Sequence, residues 1–359
     1  MSGRTLIILC LIFTSLIHSG YSSSFILPCR PIPPTEPPPT LITQVRPSDI
    51  KVVMGLGDSI TAGFGISYHK IGDFVGESRG VSWSMGGDLH EPTIPNFLSQ
   101  VGATIKGQSH GTMLPFLHFL PKSIRSFSRD FTICQLNAAV SQAELEDVQE
   151  QIQYLSFHIP RVSPSIDLQN DWKIINYFIG ANDLCDACDQ NRTVVTPAYW
   201  EKNYYETLVS MKRKFPRSIV NVFLLPDVAE MGYVGIGETC RKLRDIIGFC
   251  SCSSSDSGRQ LMSQRRLQYN QIMIDAAAKA NQILGCETFA VVVQPVLSES
   301  KIEREYMSDL DCFHLNENGS KFVAIGAWNN MISKVGEKAN STNRNVIPLC
   351  PTENTYLVS

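Results

Sequence analysis

Residues 52–65 read VVMGLGDSITAGFG, and the fold turns on why an apolar run breaks there at Gly57, Asp58 and Ser59. Val52, Val53, Met54 and Leu56 suit a short buried strand, and Ser59 to Ala62 can open a helix, so the serine falls on a strand-to-helix turn. A hydroxyl at such a turn is exposed and faces backbone N–H groups. It serves a nucleophile, a phosphate-binding turn or a helix N-cap, and the tetrapeptide alone does not choose among them.

Four further apolar runs share the character of the first, at 131–138, 173–180, 218–226 and 289–295. They are short, rich in β-branched residues and continuous rather than alternating, as strands buried on both faces of a parallel sheet must be. Between them lie segments of helical period. Residues 141–159 place Leu145, Val148, Ile152 and Leu155 three or four apart before Pro160, 196–215 open on Thr196 and Pro197, and 257–281 are long and amphipathic. Alternating strands and helices imply right-handed crossovers and a three-layer α/β/α doubly wound domain, flavodoxin-like, with a mostly parallel five-stranded sheet. Ligands of such folds collect beyond the carboxyl ends of the strands.

The chain of 359 residues, 43% apolar and 18% charged, has enough apolar surface for a substantial core. A net charge of −3 offers no footprint for nucleic acid, and the one basic run, MKRKFPR at 211–217, reads as the solvated end of a helix. Residues 1–24 have the layout of a secretory signal peptide: Arg4, an apolar stretch from Thr5 to Ile17, then small and polar residues. Residues 25–48 are a proline-rich arm, 49–340 the main folded domain, and 341–359 a C-terminal tail. Ten cysteines remain beyond the leader, an even number suited to disulfides in an oxidising, extracellular setting, with pairings that spacing does not reveal. Sequons at Asn191, Asn318 and Asn340 are expected glycan sites.

The expected strand ends carry polar residues in a telling order. The first ends at Ser59, the second in NAAVSQA (137–143), the third in GAND (180–183), and SDLDCFHL (308–315) sets Asp311 three residues before His314. A serine nucleophile needs a base, an acid that orients the base, and donors for the oxyanion, and all these residue types are present. Taken alone, a DxxH is equally a capping pair, and Asn182 and Asp183 equally a turn. Nucleophile and base are also 255 positions apart, so spacing does not establish contact.

GDSI, GAND and DCFH in this order resemble the blocks of the SGNH, or GDSL, hydrolase superfamily over roughly residues 49 to 336. The wider wording, VSWSMGGD (81–88), TIPNFL (93–98), WKIINYFIGANDLCDAC (172–188) and DCFHLNENG (311–319), is similar to the repeats of membrane-associated phospholipase B. The resemblance implies Ser59 as nucleophile, His314 as general base and then acid, and Asp311 as its orienting carboxylate. It implies an oxyanion hole from the N–H of Ser59, the N–H of Gln142 and the side-chain amide of Asn182. One position departs from the pattern: Gln142 stands where the superfamily has a glycine, and if the loop demands positive φ a side chain is strained there.

The same resemblance implies cleavage of acyl esters of phospholipids and lysophospholipids without a metal; with the leader at 1–24, the expectation is a secreted monomer with no other cofactor that touches a membrane or micelle surface peripherally. Phe116 and Phe119, in the apolar stretch GTMLPFLHFLP (111–121), are the candidate acyl-chain contacts; a buried loop is the other reading of that stretch. Two alternatives stand beside the phospholipase: an SGNH esterase for short acyl or acetylated substrates, and a catalytically weakened lipid- or carbohydrate-binding protein.

Overall fold

Four parallel strands, β1 (Ile50–Gly57), β2 (Trp172–Phe178), β3 (Ser218–Phe223) and β4 (Phe289–Gln294), lie side by side in that order in the computed structural model. The structure describes residues 25–70, 73, 75–113, 130–232 and 250–359. The expected leader at 1–24, Phe116 and Phe119 lie outside these residues. Among the described residues the α-helices are α1 (Ser59–Ala62), α2 (Ile94–Gln100), α3 (Phe131–Cys134), α4 (Val148–Val162), α5 (Ala181–Cys185), α6 (Pro197–Lys214), α7 (Asp256–Ile283) and α8 (Glu317–Ile332).

Strand side chains alternate between two covered faces, as the unbroken apolar runs require. Tyr177 of β2 stacks on Tyr204 of α6, and Trp200 of α6 stacks on Tyr269 of α7. Its neighbours Asn176 and Phe178 turn the other way, to the Ser84 carbonyl (2.8 Å) and the Trp83 ring. On that second face α2 meets α8 through Phe97 and Trp328. The boundaries of α6 and α7 follow from their caps, because Thr196 Oγ1 accepts the N–H of Tyr199 (3.3 Å) and Ser255 Oγ that of Gly258 (3.1 Å).

Among the described residues the sheet has four strands, not five. The run at 131–138 starts with Asp130, whose carboxylate accepts the N–H of Thr132 (2.9 Å) and so caps α3 instead of entering a strand. Gln135 then turns to φ 49°, and residues 136–140 come alongside β1 with a single bridge, Gly55 to Asn137. Three bonds hold them: Gly55 N–H to Leu136 O (3.0 Å), Ala138 N–H to Gly55 O (2.9 Å) and Val140 N–H to Gly57 O (3.2 Å). The chain thus leaves β1 to one side through 136–140 and returns on its other side as β2. A crevice beyond β1 is the consequence of that reversal.

The helix expected over 141–159 begins instead at Val148, after a 3-10 turn at Leu145–Asp147, and runs on to Val162 with Pro160 in its last turn. The proline-rich arm is anchored rather than free. Cys29 bonds Cys350, the Trp172 indole donates to Pro39 O (2.9 Å), and Leu357 N–H reaches Val45 O (3.0 Å). The CDAC and CSC segments form two adjacent disulfides, Cys185–Cys250 and Cys188–Cys252. Cys134, buried, and Cys286, exposed, remain thiols, so the even count does not translate into complete pairing.

Gly57 does not need an unusual φ; it needs room. A Cβ there would collide with the Phe178 carbonyl oxygen and the Thr61 side chain. Gly57→Ala is expected to lower the unfolding free energy by about 1–3 kcal/mol, the usual cost of overpacking. Urea titration of the two proteins checks it, and an unchanged midpoint would show that β1 and α1 can move apart freely.

Candidate active site

The site begins where β1 ends. The side-chain amide of Gln151 on α4 bonds both backbone groups of Gly57, accepting its N–H (2.8 Å) and donating to its carbonyl (2.8 Å), as a neighbouring strand would. Asp58 follows as N-cap of α1, its carboxylate accepting the N–H of Ile60 (2.9 Å). Ser59 is therefore the first residue of the helix rather than its cap. Gly63 ends α1 after a single turn at φ 78°, and its carbonyl accepts the N–H of Ser78 (2.8 Å).

His314 Nε2 lies 2.6 Å from Ser59 Oγ, and His314 Nδ1 lies 2.6 Å from Asp311 Oδ2. The other oxygen of Asp311 accepts the backbone N–H groups of Phe313 and His314, both at 3.0 Å. One carboxylate therefore acts as the local cap and as the partner of the imidazole, and the two readings of DxxH coexist. All three side chains are buried. Burial opposes ionisation of Asp311, but His314 and these hydrogen bonds outweigh it and hold the carboxyl below its usual range. The rings of Phe64 and Phe313 meet the imidazole edge-on.

Asn182 sits in α5, just beyond β2, where its Nδ2 donates to the carbonyl of Ala143 (2.9 Å). That bond brings the GAND block to the loop carrying Gln142. Gln142 adopts φ 67°, the left-handed region that costs an L-residue about 1–2 kcal/mol. The strain anticipated from the missing glycine is therefore present in the fold. Ser59 follows the carboxyl end of β1 and Asn182 that of β2, and the Asn182–Ala143 bond sets Asn182 beside the loop of Gln142.

Asp183 forms no simple turn. It is fully buried, accepts the Trp200 indole N–H (3.0 Å) and the N–H of Leu145 (3.3 Å), and is pushed well above its usual pKa by burial and by Glu144. Among the described residues, one group has metal-ligand spacing: Glu144, Glu146 and Asp147. Arg192 pairs with two of these carboxylates, Glu144 and Glu146, which makes the group an ion-pair cluster.

Sequence reasoning gave no role to Glu77, Arg79 or Gln151. Glu77 and Arg79 form a buried ion pair (2.6 Å) next to the Gln142 loop. The available signal was two opposite charges two residues apart, in ESRG at 77–80. The sequon asparagines Asn191, Asn318 and Asn340 are all exposed.

Residues 53–326 match the GDSL-like lipase/acylhydrolase family. The chain belongs to that family, a class of carboxylic ester hydrolases. It is 32% identical over 317 residues to "Phospholipase B1, membrane-associated" of Homo sapiens, covering 85% of this chain and 20% of that protein. To the Mus musculus protein of the same name it is 32% identical over 345 residues, 91% of this chain and 22% of the other. The chain thus spans about a fifth of the length of the curated relatives it matches. LAE5, an alpha/beta hydrolase enzyme from the metagenome of Lake Arreo, Spain, aligns at 15% identity and a TM-score of 0.36, over 77% of this chain and 92% of that one, too weak a likeness to argue from.

Asp58 gives the site a pH signature. Burial raises its carboxyl from 3.8 to about 7, and the Ile60 N–H and His314 only partly offset that. Between these values the folded protein holds a proton that the unfolded chain has released, so stability falls as pH rises through the window. Asp58→Asn keeps the cap and removes the titration. Its stability relative to wild type should rise by on the order of 3–4 kcal/mol between pH 4 and pH 7. Denaturant midpoints at the two pH values test this, and parallel pH dependences would refute it.

Proposed function

We propose that this chain is a secreted serine ester hydrolase that cleaves acyl esters of phospholipids and lysophospholipids. The observation that carries the proposal is the buried relay from Ser59 Oγ to His314 Nε2 and from His314 Nδ1 to Asp311 Oδ2, with both gaps at 2.6 Å. In this reading Ser59 Oγ attacks the ester carbonyl carbon while His314 Nε2 takes its proton. The carbonyl oxygen becomes an oxyanion, received by the N–H groups of Ser59 and Gln142 and the Asn182 amide. As the intermediate collapses the ester C–O bond breaks, and His314 hands its proton to the departing glycerol oxygen. Water then attacks the acyl-enzyme, giving a proton to His314, which returns it to Ser59 as the fatty acid leaves. Asp311 keeps the imidazole oriented throughout and steadies its charged form. No step calls for a metal.

The lipid substrate is supported by the printed names of the relatives and by an apolar cavity lined by Ile60, Phe313 and Leu315, immediate neighbours of Ser59 and His314, together with Met307 and Phe322. No helix among the described residues is long and apolar enough to cross a membrane, and the proposal is a single chain in peripheral contact with a lipid surface. Secretion is supported by the leader-like residues 1–24 and by the disulfides, and glycans on exposed Asn191, Asn318 and Asn340 fit the same setting. A second reading, a binding protein with little turnover, draws on the strained Gln142.

A fluorophosphonate separates the two, since only an activated serine reacts with it. Wild type should label at Ser59, and Ser59→Ala and His314→Gln should not, with esterase activity falling at least about 10³-fold in each. An unlabelled, folded wild type would favour the binding protein. Hydrolysis of lysophosphatidylcholine micelles should exceed that of p-nitrophenyl acetate in kcat/KM; the reverse order would indicate an esterase for short acyl groups.

A further inference from the structure

The proposed oxyanion loop has no strand on its outer side among the described residues. Residues 136–140 bond to β1 through Leu136, Ala138 and Val140, so the carbonyls of Asn137 and Ala139 point away from β1, where another strand would take them. Among the described residues no strand is paired there. Arg79 takes its place: Nη1 donates to Asn137 O (3.0 Å) and Nη2 to Ala139 O (2.9 Å), the guanidinium fork spanning the i, i+2 carbonyl spacing. Its Nε donates to Glu77 Oε2 (2.8 Å), and Glu77 Oε1 accepts the hydroxyl of Ser141 (2.6 Å). One buried pair thus grips residues 137, 139 and 141, and the next residue is Gln142 at φ 67°. The loop is also tied to the nucleophile's helix, because Asn137 Nδ2 donates to Thr61 O (3.1 Å).

A fully buried ion pair gains little net stability, since desolvation offsets attraction; its best-attested use is to specify one geometry. A glutamine in the left-handed region relaxes toward ordinary φ unless its surroundings hold it. We propose that Glu77 and Arg79 are positioning residues that keep the strained Gln142 N–H aimed at the oxyanion, in place of the glycine that would adopt this conformation unaided. The inference rests on the hydrolase reading above. Arginine is required for the role because lysine keeps the charge but cannot bridge two carbonyls while pairing with Glu77.

The test is a double-mutant cycle on the full chain, read as kcat and KM on p-nitrophenyl acetate with melting curves alongside. Arg79→Lys should lower kcat by about 10²-fold, the scale of losing one oxyanion donor, with KM within about twofold. Gln142→Gly in the wild-type background sets the reference of the cycle, and its gain there should be smaller than in the Arg79→Lys background. In the Arg79→Lys background it should restore at least about tenfold, because glycine adopts positive φ without strain. Equal effects of Gln142→Gly in both backgrounds, or an unchanged kcat in folded Arg79→Lys, would overturn the inference while leaving the hydrolase reading intact. If Arg79→Lys does not fold, Ser141→Ala enters the same cycle, with an expected fall of about tenfold that Gln142→Gly reverses and an additive result again counting against the inference. A folded wild type that neither turns over nor labels at Ser59 overturns both.

Discussion

The bond between the Gln151 amide and both backbone groups of Gly57 is the constraint on which the site depends. β1 ends among buried groups, and among the described residues its last residue has only the Val140 N–H, and no regular strand, on its outer side. Gln151 satisfies that backbone from α4, while the Phe178 carbonyl and the Thr61 side chain leave no space for a Cβ. With the strand's exit pinned, Asp58 has one place to cap α1, and Ser59 is delivered to the imidazole of a residue 255 positions later. The hydroxyl owes its position less to a flexible glycine turn than to crowding around a rigid one.

The polar groups within the core share this logic. Asn176, Asn221 and Gln294 form a ladder of side-chain amides across β2, β3 and β4, with Asn221 Nδ2 on Asn176 Oδ1 (3.1 Å) and Gln294 Nε2 on Asn221 Oδ1 (2.8 Å). Asp183 joins α5, α6 and the Leu145 turn through two bonds. Such groups contribute modest net stability but are costly to leave unpaired, so each one narrows the arrangements the core can adopt. The crevice at the strand ends is built from these restrictions more than from apolar packing.

How much of this was legible in the sequence follows from the range of each interaction. β1, β2, β3 and β4 appear within a residue or three of their true bounds, because buried parallel strands leave a continuous apolar trace. α6 was readable from its Thr196 cap and Pro197, and α7 from its long amphipathic period. The run at 131–138 misled because its apolar content resembles a strand, while the Asp130 cap and the turn at Gln135 are signals of a single residue each. The blocks around Ser59, Asn182, Asp311 and His314 announced their residue types, but their meeting depends on tertiary bonds that no spacing encodes. The strain at Gln142 was legible only as a departure from a pattern that has glycine there. Arg79 was not, since a lone arginine in a polar stretch looks solvated until the two carbonyls it serves are located.

The cystines next to α5 carry a further implication. Asn182 stands three residues before Cys185, and Cys185–Cys250 and Cys188–Cys252 fasten both ends of the segment 185–188 to one short stretch. A helix of five residues has little cohesion of its own. Its amide is steady because covalent rivets hold the far end. In the hydrolase we propose, the placement of the Asn182 amide is thereby tied to the oxidation of these sulfurs.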